Sequence, residues 1–105
     1  MPTYVIADDA VLEIQEIVQT IKADNEPAAR NWLTELRKKL AVLAGMPRLG
    51  RIRDDLIADM YVFPYGNYLI FYDITDTGIT VLHVVDGRQD IPNLPISTIR
   101  TRSRQ

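Results

Sequence analysis

Apolar residues recur at three- and four-residue intervals through the first half of the chain and in short continuous blocks through the second, which predicts helices followed by strands. Ala10, Ile14, Ile17 and Ile21 mark one helical stripe, widened by Val11 and Val18, while Glu13, Gln15, Glu16, Gln19 and Lys22 fall largely on the other face. Ahead of it, Thr3 to Ala7 is short, β-branched and apolar and reads as a first strand. Asp8 and Asp9 offer N-cap oxygens and favourable charge at the helix start. Asp24-Asn25-Glu26-Pro27 stops this helix, and Pro27 suits the first turn of the next, where its missing N–H costs nothing. A second stripe runs through Ala29, Trp32, Leu33, Leu36, Leu40 and Leu43, with Arg30, Lys38 and Lys39 towards the other side. Gly45 then fits a left-handed C-terminal cap, and Pro47 blocks continuation.

Strands follow. Asp59 to Phe63 reads as one, Pro64-Tyr65-Gly66-Asn67 as a turn, and Tyr68 to Ile74 as a central strand because it is almost wholly apolar. Thr75-Asp76-Thr77-Gly78 turns the chain into a further strand from Ile79 to Val85. Such short turns demand an antiparallel meander, and Tyr4-Val5-Ile6 is expected to pair back into it. The fold class is therefore α+β: an N-terminal strand, an antiparallel two-helix hairpin and a three-stranded antiparallel β-meander, with helices on one face and water on the other. The expected domain spans 1–94. Pro92, Pro95 and the polar residues after them predict a mobile tail over 95–105.

Composition narrows the function. A chain of 105 residues has room for one core. It has no cysteine, so disulfides and thiolate metal sites are excluded. The first residues carry no basic-then-apolar signal and no apolar run approaches spanning length, so a cytoplasmic protein without membrane contact is expected. With 12 Lys plus Arg against 14 Asp plus Glu, the net charge of −2 leaves no basic excess for strong direct nucleic-acid binding. Arg100, Arg102 and Arg104 face no acid after Asp90, and read as a solvated end.

Candidate chemistry is sparse. His83, the single histidine, lies between Leu82 and Val84, and strand alternation places it on the face opposite both. A general base needs an orienting partner and a substrate proton in reach; the sequence supplies neither, so a half-exposed strand residue is the plainer reading. Asp54, Asp55 and Asp59 lack ligand-like company, and no nucleophile or phosphate-cradling motif occurs, so neither metal nor cofactor is expected. Arg48, Arg51 and Arg53 cluster after the helical hairpin and Arg88 follows the last strand, in loops expected to converge at one end of the sheet. Guanidinium forks suit a phosphate or a partner's carboxylate, unless Asp54, Asp55, Asp59, Asp86 or Asp90 already engages them. Tyr61, Phe63, Tyr65, Tyr68, Phe71 and Tyr72 read as sheet packing, since no basic residue interleaves Tyr68 to Ile74.

Several features occur together over roughly residues 3 to 94. They are the opening strand into an Asp-led helix, Ala28-Ala29 and Trp32 early in the second helix, and the link Met46-Pro47-Arg48-Leu49-Gly50-Arg51. The hairpin Phe63-Pro64-Tyr65-Gly66-Asn67-Tyr68-Leu69-Ile70-Phe71-Tyr72 follows, then a strand into Asp86-Gly87-Arg88-Gln89-Asp90. In this order and spacing they resemble the ParE-like toxins of the ParE/RelE toxin–antitoxin superfamily. The resemblance implies a type II toxin that binds bacterial DNA gyrase and stalls it with DNA cleaved, giving growth arrest and plasmid stabilization as a binding poison with no active site of its own. It puts target contact on Arg48, Arg51, Arg53, Gly87 and Arg88 and on the C-terminal segment. It also implies a cognate ParD-like antitoxin whose flexible tail folds on the toxin, as a helix beside the helical hairpin or a strand on a sheet edge.

Such toxins often end the last strand in His-Gly followed by Arg-Asp; here Asp86 and Gln89 stand in the histidine and arginine positions. A degenerate, non-toxic binding module is therefore one alternative. RelE-like nucleases place basic residues on the central strands and commonly a tyrosine near the C-terminus, around an mRNA phosphate. Here Leu69 stands where such a nuclease tends to carry arginine, and no tyrosine follows Tyr72, so the developing charge lacks stabilisation. A ribosome-dependent mRNA endonuclease using His83 and Arg88 is the other alternative.

Overall fold

In the computed structural model, which describes residues 2–53, 55 and 59–88, Asn25 forms the joint between the helices. Its N–H donates to Ile21 O at 2.9 Å, closing α1 (Asp8–Asp24), and its side-chain oxygen accepts from Ala28 N–H at 3.0 Å, opening α2 (Glu26–Gly45). One residue thus terminates a helix and caps its successor, with Pro27 in the first turn as expected. Two end signals act differently from expectation. Ala7 holds the α1 cap with no side-chain bond, so Asp8 and Asp9, inside the first turn, contribute charge against the helix dipole. Gly45 is the last helical residue and Met46 follows at φ −135°, so no left-handed cap forms; Pro47 instead opens a 3-10 turn, Pro47–Leu49.

The strands are β1 (Thr3–Ile6), β2 (Arg51–Ile52), β3 (Tyr61–Tyr65), β4 (Tyr68–Ile74) and β5 (Gly78–Asp86). They form one sheet ordered β1-β5-β4-β3-β2. The expected meander is β3, β4 and β5, and β1 joins it parallel to β5. The short strand β2, which the sequence pattern did not announce, adds antiparallel to β3 at the other edge. β3 runs on through Pro64 and Tyr65, leaving Gly66 (φ 58°) and Asn67 as a two-residue loop that fits a II′ hairpin. Pro64 is tolerated there because β2 pairs only with Tyr61 and Val62, so its missing N–H faces an open edge.

Both helices lie on one face of the sheet. Ala10 and Ile14 of α1 and Leu36, Leu40, Leu43 and Ala44 of α2 pack against Ile70, Tyr72, Ile79, Val81 and Val84. Leu36, Leu40 and Leu43 are fully buried, each contributing about 1.5–3 kcal/mol of apolar transfer. The far face is not simply wetted: Met60, Val62, Phe71 and Val85 are buried there with Leu69 and Leu82 against them. Continuous apolar runs such as Leu69-Ile70-Phe71-Tyr72 supply both faces at once, which strict alternation would not. The proposed boundary at 94 and the tail over 95–105 lie outside the described residues.

Candidate functional site

The arginine-bearing link is fixed from beneath by Tyr72. This residue is fully buried in β4, and its hydroxyl donates to Pro47 O at 2.6 Å and accepts from Gly50 N–H at 3.0 Å. Burial pushes the phenol above its ordinary value of 10, the Gly50 N–H pulling the other way, so the hydroxyl keeps the proton it gives to Pro47. Tyr61 stacks on the same ring at 5.7 Å. Gly50 has no room for a side chain, because a Cβ would fall on the Tyr72 hydroxyl and Val62 O. Above this anchor, Arg48 in the 3-10 turn and Arg51 in β2 are exposed, and neither has an ion-pair partner among the described residues. Met46, Leu49 and Ile52 accompany them at 55%, 49% and 48% exposure. Arg53 differs: its guanidinium forks onto Asp55 at 2.9 and 2.8 Å, and that hydrogen bonding holds the Asp55 carboxyl below its ordinary value.

Arg88 also has an acid. Its guanidinium donates to both oxygens of Asp86, at 3.0 and 2.7 Å, and its N–H to the same carboxylate at 2.9 Å. These bonds lower the Asp86 carboxyl from 3.8 to about 2. Gly87 N–H donates to Asn67 O at 2.8 Å, tying this turn to the β3–β4 hairpin. The expected convergence of the loops does not occur. Arg51 is level with Val62, Phe71 and His83 across the sheet, whereas Asp86 is level with Tyr68 at the hairpin end. Three strands across and three residues along put Arg51 roughly 17 Å from Asp86, and β2 runs away from that end. Arg48 and Arg51 are thus one locus, and Gly87 and Arg88 another.

His83 is 3% exposed rather than half-exposed. A register shift pairs Phe71 with His83 but Tyr72 with Val81, so Leu82 is an extra residue. Leu82 consequently packs on the far face and Val84 on the helix face, and simple alternation fails. At this bulge Glu13 of α1 takes both available donors, His83 Nδ1 at 2.9 Å and Val84 N–H at 3.0 Å. An ionised carboxylate only accepts, so the imidazole donates from Nδ1. Sequence reasoning put Glu13 on the polar face. Its spacing from Ala10 and Ile17 by three and four residues is the signal that places it on the buried side.

The aromatics pack as expected. Trp32 meets Tyr65 and Tyr68 at 5.6 and 5.4 Å, and the Tyr65 hydroxyl donates to Trp32 O at 2.8 Å, seating α2 on the hairpin. Among the described residues no group of histidines and acids could hold a metal ion, and no helix is long and apolar enough to cross a membrane. Asp54, Gln89, Asp90 and the C-terminal arginines fall outside the described residues.

A solved chain of the chromosomal ParDE TA system from P. aeruginosa superposes with a TM-score of 0.68 at 11% identity, covering 82% of this chain and 96% of that one. At this identity the likeness speaks for the fold alone. No curated protein matches the chain in sequence. The family model for the ParE toxin of the type II toxin-antitoxin system, parDE, matches residues 4–91, and the chain accordingly belongs to the ParE toxin family.

Proposed function

We propose that this protein is a binding toxin that poisons DNA gyrase, arrests growth from the cytoplasm and is neutralised by a cognate antitoxin. Family membership supplies the toxin class, and the observation that carries the reading is the pinned link, which offers a partner Arg48 and Arg51, neither of them ion-paired among the described residues. A binding poison needs a rigid surface and no reacting group, and preorganisation lowers the cost of docking. The ribonuclease alternative has less support, because its two residues are already engaged, His83 by Glu13 and Arg88 by Asp86. Gly87 and Arg88 become a second, separate contact in this reading, reached only if the target breaks the Asp86 pair.

The experiment is a gyrase assay with antitoxin-free protein, scoring supercoiling and trapped double-strand cleavage. Accumulated cleaved DNA is the expected result. Arg51→Ala with Arg53→Ala should reduce that cleavage and toxicity in cells while leaving the thermal midpoint close to wild type, since both side chains lie at the sheet edge. Untouched gyrase from a folded, toxic protein would sink the proposal and move the search to ribosome-bound mRNA.

A further inference from the structure

A cavity of about 350 Å³ opens where the turn between β4 and β5 meets the end of α2. Its polar wall is that turn, Thr75 to Gly78, and its apolar wall is Pro2, Ala44 and Pro47. The walls are preset. Thr3 N–H donates to Thr77 O at 2.8 Å and Thr75 N–H to Gly78 O at 2.9 Å, and the two prolines have a fixed φ. The electrostatic features here share one sign. The Asp76 carboxylate is exposed and has no ion-pair partner among the described residues. Ala44 brings the C-terminal, partly negative end of the α2 dipole to the same space, and the last turn of α2 holds no basic residue to offset it. None of the residues lining the cavity is basic.

We propose that this cavity binds a small alkylammonium ion, its charge held by Asp76 and the helix end and its stem laid on Pro2, Ala44 and Pro47. A calcium or magnesium ion is a poorer occupant, because it requires several oxygen ligands in a tight shell and the cavity offers one carboxylate. The volume lies at the lower end for small-molecule sites, which suits a chain of a few carbons. Burial of that stem supplies the apolar part of the affinity, and Asp76, open to solvent, selects the sign of the charge. Pro47 also belongs to the link, where its carbonyl takes the Tyr72 hydroxyl, so an occupant would touch the anchored segment. Free aliphatic amines and the lysine side chain of a partner protein share this chemistry. The inference does not depend on the toxin reading.

The test titrates the isotope-labelled full chain with butylamine, which is protonated at neutral pH, while recording amide NMR spectra. Saturable shifts are expected at Ala44, Asp76, Thr77 and Gly78. Butanol, a stem without a charge, and ammonium chloride, a charge without a stem, should each bind at least about fivefold more weakly. Asp76→Asn should weaken butylamine binding about fivefold, whereas Asp24→Asn, the same change at the other end of the helical hairpin, should leave it unaltered. Nα-acetyl-lysine amide separates the two sources: tighter binding than butylamine assigns the cavity to a partner's lysine, and weaker binding assigns it to a free amine. Shifts that are absent, scattered or unsaturable, butanol or ammonium binding equal to that of butylamine, or indifference to Asp76→Asn each overturns the proposal. Should the Asp76 variant lose its fold, salt decides: the affinity of the unaltered chain for butylamine must fall as salt rises, and a flat response overturns the proposal equally.

Discussion

The link from Met46 to Arg53 and the end of β5 from His83 to Arg88 are both irregular stretches carrying arginine, and both are held by a polar group reaching in from elsewhere. Tyr72 of β4 secures the link through Pro47 and Gly50; Glu13 of α1 secures β5 through His83 and Val84. They part company at the guanidinium. Arg53 and Arg88 each fork onto an aspartate two positions away, Asp55 and Asp86, while Arg48 and Arg51 have no acid at that spacing with which they pair. The lesson is that the backbone anchor is a long-range device, whereas the availability of an arginine is decided by its immediate sequence neighbours. The link presents two cations, Arg48 and Arg51, and engages a third, Arg53, whereas the end of β5 engages the one it has.

Breaking the anchor of the link should have the largest effect. Gly50→Val forces two methyl groups against the Tyr72 hydroxyl and Val62 O. Overpacking and the lost hydrogen bond together should cost about 3 kcal/mol, read as a lowered urea midpoint. A wild-type midpoint would mean that the link yields freely and is not a fixed platform. Tyr72→Phe is gentler: it deprives Gly50 N–H and Pro47 O of their partner for about 1–2 kcal/mol. Amide exchange at Gly50 should accelerate while the Asp86 carboxyl resonance stays in place, because among the described residues no hydrogen bond or ion pair joins the two regions, and they should respond independently. Movement of Asp86 in that variant would show that they are coupled after all.

The parts of this arrangement legible in the sequence are those governed by periodicity. The three- and four-residue stripes located both helices, and β4 was bounded at Tyr68 and Ile74 as observed. Tyr4-Val5-Ile6 was correctly expected to rejoin the sheet. What periodicity misses is anything that interrupts it. Leu82, inserted at the bulge, reverses the alternation behind the reading of His83 as half-exposed, and only a contact across seventy positions, from Glu13, explains why a histidine is buried there. The brief β2 carries no pattern of its own; it exists because β3 offers Val62 and Tyr61 as partners. Likewise the hydroxyl of Tyr72 was invisible as an anchor, since a tyrosine within an apolar strand reads as packing. The arginines are plain in the sequence, but which of them pair with acids depends on local geometry that composition does not encode.

The smallest effect tests the other half of the comparison. Asp86 has its carboxyl lowered from 3.8 to about 2, first by the Arg88 guanidinium and then by the Arg88 N–H. A carboxyl depressed in the folded state adds stability that is fully present above its unfolded value and disappears as pH falls through its folded one. The window for this pair is therefore between about 3.8 and about 2, well below the pH at which the protein would meet a target. Because Arg88 is exposed and Asp86 only half-buried, solvent screens the pair and the change in overall stability should be too small to see in a urea curve, so the measurement is a carboxyl NMR titration. Asp86 should titrate near 2 in the unaltered chain and move part of the way back to 3.8 in Arg88→Ala, the N–H bond remaining. If Asp86 instead titrates at 3.8 from the start, Arg88 is as free as Arg51. The distinction between a presenting and an engaged region then collapses, and the turn at Gly87 becomes as strong a candidate for target contact as the link.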